Sequence, residues 1–202
     1  MPGGDSLADY TAIYAVGNSI AQFLENSFPP ALKTQYPNVK FQLVSSSQVA
    51  EEDTTNLDQV VTIFLHRITY DENFRSATRI QDVPNKKSVL FLNLHYLVTY
   101  WGTDPQAEQT ILGWTMMQLQ TTPILDNSIL KPSNIWNTTE SIQLVPADLS
   151  LEDILRIWDA LGPKYRLSVA YIARVVRIDI DTVPGGPVVA TRFTLEEDEV
   201  AQ

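Results

Sequence analysis

"YRLSVAYIARVVRIDI", Tyr165 to Ile180, decides the fold. It reads as one strand of sixteen residues, on the order of 50 Å long at about 3.3 Å per residue, whereas strands usually run about five or six residues. It carries Arg166, Arg174 and Arg177 in a chain whose net charge is -10. The next residues, "DTVPGG" and then "PVVATRFTL" at 187 to 195, place a Pro-Gly-Gly turn between two strand patterns. That arrangement predicts a long C-terminal β-hairpin.

Upstream, "QVVTIFLHRITY" (59 to 70) and "SVLFLNLHYLVTYW" (88 to 101) are strong strands. In the second, Leu90, Leu92, Leu94, Tyr96 and Val98 form one face, while Val89, Phe91, Asn93, His95 and Leu97 form the other. Both faces are largely apolar, so the strand is central, with helices over at least one side. Asn93 and His95 then need hydrogen-bond partners. "VKFQLV" at 39 to 44 and "SIQLV" at 141 to 145 are shorter strands.

Three helices are legible. In the first, Tyr10, Ile13, Tyr14, Gly17, Ile20 and Leu24 recur at three- and four-residue spacing after Asp5 and Ser6 as caps, and Pro29 and Pro30 end it. Gly17 signals close packing on a neighbour. The second opens with Asp104 as N-cap and Pro105 at the first helical position and closes before Pro123. The third has Ser150 and Asp153 as a capping box, a stripe of Leu151, Ile154, Leu155, Trp158 and Leu161, and a stop at Gly162 and Pro163. The polar stretch from Ser45 to Leu57 reads as a disordered loop, and 126 to 140 as a loop rich in Asn, Ser and Pro.

The expected fold is a single α/β (α+β) domain, a mostly antiparallel sheet packed with about three helices. Residues 1–182 form its body, 183–195 carry the second hairpin strand, and 196–202 are an acidic tail. With 202 residues, 44% of them hydrophobic, the chain can bury a substantial core. No run approaches the ~20 apolar residues of a membrane span, and "MPGGDSLADY" lacks an export signal, so assembly in the cytoplasm is expected. The 24 acids against 14 bases disfavour nucleic acid and anionic lipid. Zero cysteines exclude disulfides and thiolate chemistry.

Catalytic signals are weak. His66 and His95 sit in buried-looking strand patterns without a second ligand at metal spacing, so each reads as a hydrogen-bonded structural residue, and no metal or cofactor is expected. Glu152 and Asp159 share a helix face and could form an acid/base pair, but helix surfaces carry such pairs routinely. Asn137 opens a glycosylation triplet, which has meaning only in a secreted eukaryotic protein. Gly185 and Gly186 lack the spacing of a phosphate cradle, and Trp114 and Trp158 read as core.

Three blocks together resemble a known family: "DYTAIYAVGNSIAQFL" (9 to 24), "LFLNLHYLVTYWGTDPQAEQTILGWTMMQLQTTPIL" (90 to 125) and "LVPADLSLEDILRIWDALGPKYRLSVAYIARVVRID" (144 to 179). They look like the N-terminal domain of the tube-terminator or cap proteins of extracellular contractile injection systems, phage-tail-like particles of the virulence-cassette and antifeeding-prophage type. The likeness covers Asp9 to Asp181; beyond it family members vary, and here only a hairpin and an acidic tail follow. The resemblance implies a structural protein, not an enzyme. It would form a ring of six copies that closes the distal end of the inner tube and sheath and locks the extended sheath. Its partners would be copies of itself and the sheath and inner-tube proteins, and the particle could then be released. In related tails sheath subunits are joined by donated strands, so the long ribbon is expected to supply a contact through Arg174, Arg177, Asp179, Val188 and Arg192. The alternatives are an in-domain hairpin with its arginines in water, a neck or adaptor role in the same particle, or an unrecognised enzyme.

Overall fold

The computed structural model describes residues 9–50, 57–71, 88–136 and 139–180. A six-stranded sheet runs in the order β1-β2-β3-β6-β5-β4: β1 is Lys40–Val44, β2 Val60–Tyr70, β3 Ser88–Trp101, β4 Ile124–Leu125, β5 Ile142–Ala147 and β6 Ser168–Ile180. Only β1 and β2 run parallel; the other ladders are antiparallel. The α+β expectation holds.

The alternation of β3 places its two residue sets under different covers. Leu92, Leu94, Tyr96 and Val98 belong to the larger core, beneath α1 (Ala12–Ser27) and α4 (Pro105–Thr121). Phe28, Phe41 and Trp114 meet edge-to-face within it, with ring centres 5.0 to 5.6 Å apart. On the other face Leu97 and Trp101 join a smaller core under α3 (Ser46–Ala50) and α5 (Leu151–Leu161), where Trp158 packs 5.9 Å from Trp101. Trp114 and Trp158 are core residues, as their helical stripes imply.

The caps follow the sequence. The Asp104 carboxylate accepts from the Gln106 and Ala107 N–H groups, and the Ser150 hydroxyl accepts from Asp153 N–H at 3.1 Å. Gly162 ends α5 at φ 92°, a conformation glycine adopts without strain. A Cβ on Gly17 would sit 2.6 Å from a Leu43 methyl and 3.2 Å from the Tyr96 ring, which confirms the close packing expected of it.

Several expectations need correction. The stretch Ser45 to Leu57 contains α3, whose Val49 is buried, and Leu57 is buried too; two apolar anchors in a polar run are too sparse to show a period. A second short helix, α2 (Pro30–Gln35), starts at the proline expected only to end α1, because proline suits a first helical turn. The five helices among the described residues therefore exceed the three expected. The inward face of α1 is Ala12, Ala15, Val16, Ile20 and Leu24, leaving Tyr10 and Tyr14 80% and 66% exposed; small alanines, not tyrosines, fit helix against sheet. Of the α5 stripe only Trp158 is fully buried, with Leu151 and Leu155 65% and 40% exposed.

The opening ribbon is also shorter than its pattern. Arg166 lies over the Trp101 ring, 4.7 Å from its centre, and donates to the Gly102 carbonyl at 3.2 Å. That contact caps the end of the sheet, so the strand starts at Ser168. β6 is an interior strand, held between β3 and β5 over Ala170 to Arg174. The second hairpin strand, the Pro-Gly-Gly turn with Gly185 and Gly186, the acidic tail, Asp5, Ser6 and Asn137 lie outside the described residues.

Ser19 ties α1 to the 126–132 loop. Its buried hydroxyl donates to the Ala15 carbonyl at 2.7 Å and accepts from Lys131 N–H at 2.8 Å. Ser19→Ala leaves that amide without its side-chain partner and is expected to cost about 1–3 kcal/mol. The midpoint of urea unfolding reads this out, with the exposed Ser47→Ala as an unchanged control.

Candidate interaction surface

β3 is longer than its neighbours' reach. β2 pairs with it only up to Tyr70 opposite Leu92, and β5 pairs with β6 only up to Arg174. Beyond those points β3 and β6 continue together to Ser88 opposite Ile180. On the far side of β2, β1 stops at Val44 opposite Phe64. Among the described residues, therefore, no strand pairs with the outer edge of β2 from Leu65 to Thr69. Open strand edges carry unpaired backbone groups that a neighbouring chain can satisfy.

A bulge bends the sheet in each strand flanking β3. In β2 the ladder slips at His66, between Leu65 and Arg67; in β6 Arg174 and the residue after it stand where β3 supplies Asn93 alone. Bulges add twist and turn edge side chains to new directions. They bracket the half of the sheet face that α3 and α5 leave uncovered. There the register row Arg67, His95, Ile172, Val145 is followed by Thr69 and Asn93. Asn93 donates to the Asp71 carboxylate at 3.2 Å, and His95 Nε2 lies 2.9 Å from the Thr69 hydroxyl. Both polar residues have partners, as their position demanded, but among the described residues no helix packs over them.

Of the expected contact residues, Arg174 is exposed and sits at the β6 bulge opposite Gln143, and Arg177 is half-buried opposite Phe91. Asp179 pairs with Val89 through the backbone at the ribbon's far end. One strand thus brings these three to the projecting end, while Val188 and Arg192 lie outside the described residues. Sequence reasoning missed Arg67, Ile68, Tyr70, Tyr10 and Tyr14. Ile68 and Tyr70 are 45% and 58% exposed on β2. The outward signal was Arg67, a charge interrupting the apolar run of β2.

Where β1 ends, a groove of about 740 Å³ opens between the start of α1 and the β2 edge, lined by Tyr10, Tyr14, Leu43, Gln48, His66 and Tyr96 among others. Burial, then the nearby His95 and Arg67, push His66 down to about 4 and hold its ring neutral. Burial also raises the Tyr96 phenol, whose hydroxyl has no hydrogen-bond partner among the described residues. Among the described residues no carboxylate lines the groove, and none of them gives His66 an acid partner there. Glu152 instead ion-pairs Arg156 at 2.6 Å on the exposed face of α5. Among the described residues no three His, Cys, Asp or Glu side chains come together to hold a metal ion.

A depressed histidine pKa destabilises the fold on acidification, because the unfolded chain takes up the proton first. From pH 6.5 down to about 4 the wild type is expected to lose stability more steeply than His66→Gln, and above pH 7 the two should change in parallel. Urea midpoints across that pH range make the comparison.

Similar architecture recurs in solved structures. The sheath/tube terminator of PVC, an extracellular contractile injection system, in its extended state superposes with TM-score 0.55 at 20% identity, covering 94% of this chain and 65% of that one. The tube-terminating cap of the anti-feeding prophage gives TM-score 0.52 at 16% identity, covering 95% and 63%. The chain thus spans just under two thirds of the length of these proteins. No curated protein sequence matches it. The Pvc16 N-terminal domain family matches residues 15–191, which takes in most of α1, the six described strands and α5. This chain belongs to the Pvc16 N-terminal domain family.

Proposed function

We propose that the chain is a structural cap: copies form a closed ring of six that seats on the distal end of an inner tube and its surrounding sheath, ends tube growth and holds the sheath extended. It performs no bond chemistry. The observation that carries this reading is the outer edge of β2 from Leu65 to Thr69, which has no neighbouring strand among the described residues. Membership of the Pvc16 N-terminal domain family and the fold shared with a sheath/tube terminator and a tube-terminating cap support it. Arg174, Arg177 and Asp179 lie on β6 and, with Val188 and Arg192, serve as contact residues, Arg174 and Arg177 facing acidic groups of the partner. Assembly takes place in the cytoplasm, and the protein then stays with the particle. No described helix is long and apolar enough to cross a membrane.

The edge carries the contact through main-chain pairing, and a lysine pointing from an open edge blocks such pairing while leaving a monomer intact. Ile68→Lys, at an exposed position, is expected to keep the fold and weaken binding to tube ends about tenfold, the equivalent of about 1.4 kcal/mol. Sedimentation with the particle's isolated tube and sheath measures it. A wild-type chain that stays single-copy and leaves tube ends bare would contradict the proposal.

A further inference from the structure

Two surfaces of this chain leave apolar side chains against solvent and carry opposite charge. The first is the uncovered half of the sheet. Among the described residues Val145 and Ile172 are half-buried and belong to neither core, and Arg67 and Arg174 beside them are exposed. The second is the outer side of α5. Leu151, Glu152, Leu155 and Asp159 share one helix face, and Leu151 and Leu155 remain exposed. The helix's own cation, Arg156, is already bonded to Glu152.

The geometry points to a head-to-tail contact between copies, in which α5 of one protomer lies across the uncovered sheet half of the next. The row from Arg67 on β2 through His95 and Ile172 to Val145 on β5 spans three strand spacings, about 14 Å, and a helix with its side chains is about 10–12 Å wide. Leucines 151 and 155 would then meet Ile172 and Val145, while Glu152 and Asp159 reach the arginines at the margins. A second copy fits because both halves are already on the chain: in a molecule of net charge -10, this sheet face offers arginines and α5 offers carboxylates. The two surfaces do not overlap, so the contact is heterologous, and such contacts generate rings when the rotation between copies closes. The inference rests on the ring reading above and names the surfaces that build it.

The chain has no cysteine, so introduced ones report without background. Two differently tagged preparations of the full chain, Leu155→Cys and Ile172→Cys, are mixed and oxidised; a disulfide-linked pair bearing both tags is expected. In parallel, Arg67→Glu with Arg174→Glu should weaken self-association at least tenfold at low salt, and adding Glu152→Lys with Asp159→Lys to the same chain should restore most of it. A wild type that oligomerises, yet gives no mixed disulfide and tolerates the arginine reversals, overturns this contact and leaves the ring standing. A wild type that remains single-copy at every concentration overturns the ring and the contact together. If Ile172→Cys fails to fold, the charge-reversal pair decides alone.

Discussion

The structure depends on one mismatch of length. β3 pairs with β6 from Ser88 to Thr99, but the β2 and β5 ladders each stop short of Ser88, and β1 stops sooner still. Backbone groups in the middle of the sheet are satisfied by neighbours on both sides. Toward Ser88 and Ile180 the same two strands run on past the β2 and β5 ladders. An isolated two-stranded ribbon is marginal in water. This one is tethered through a ladder continuous with the core, which fixes its direction.

The covers on the two faces are unequal. Under α1 and α4 the larger core extends along β3 from Leu92 to Tyr100 and is sealed by the Phe28, Phe41 and Trp114 cluster. Under α3 and α5 the smaller core ends at Leu97 and Ala170. One register row further along stand His95 and Ile172, and no described helix reaches them. The polar residues there bond one another: Asn93 to Asp71, His95 to Thr69. A face held together in this way can stay wet in a single copy and still pack when another surface arrives, since its polar groups do not depend on the partner.

Much of this was legible in residues. The two apolar faces of β3 announced a central strand, Asp104 and Ser150 announced their caps, and Gly17 announced the contact with Leu43 and Tyr96. What escaped was decided by tertiary fit. Tyr14 stands one turn after Tyr10 and reads as core by spacing alone, yet helix α1 approaches the sheet so closely that only small residues and Ile20 and Leu24 fit between them. The bulges at His66 and Arg174 add one residue to a ladder, and no local pattern encodes the partner strand's count. The ribbon's true start at Ser168 was hidden because Arg166 prefers the Trp101 ring and the Gly102 carbonyl to a place in the ladder. The exposed Leu155 was concealed by a stripe wider than the surface it meets.

The central claim is that the outer edge of β2, open among the described residues from Leu65 to Thr69, is where this chain meets its assembly. Amide hydrogen exchange over Leu65–Thr69, compared between the free chain and the chain bound to tube and sheath, tests it most directly. Slow exchange that appears at this edge only in the bound state is the predicted result. An edge that exchanges equally fast in both states, while protection appears elsewhere on the molecule, would contradict the account.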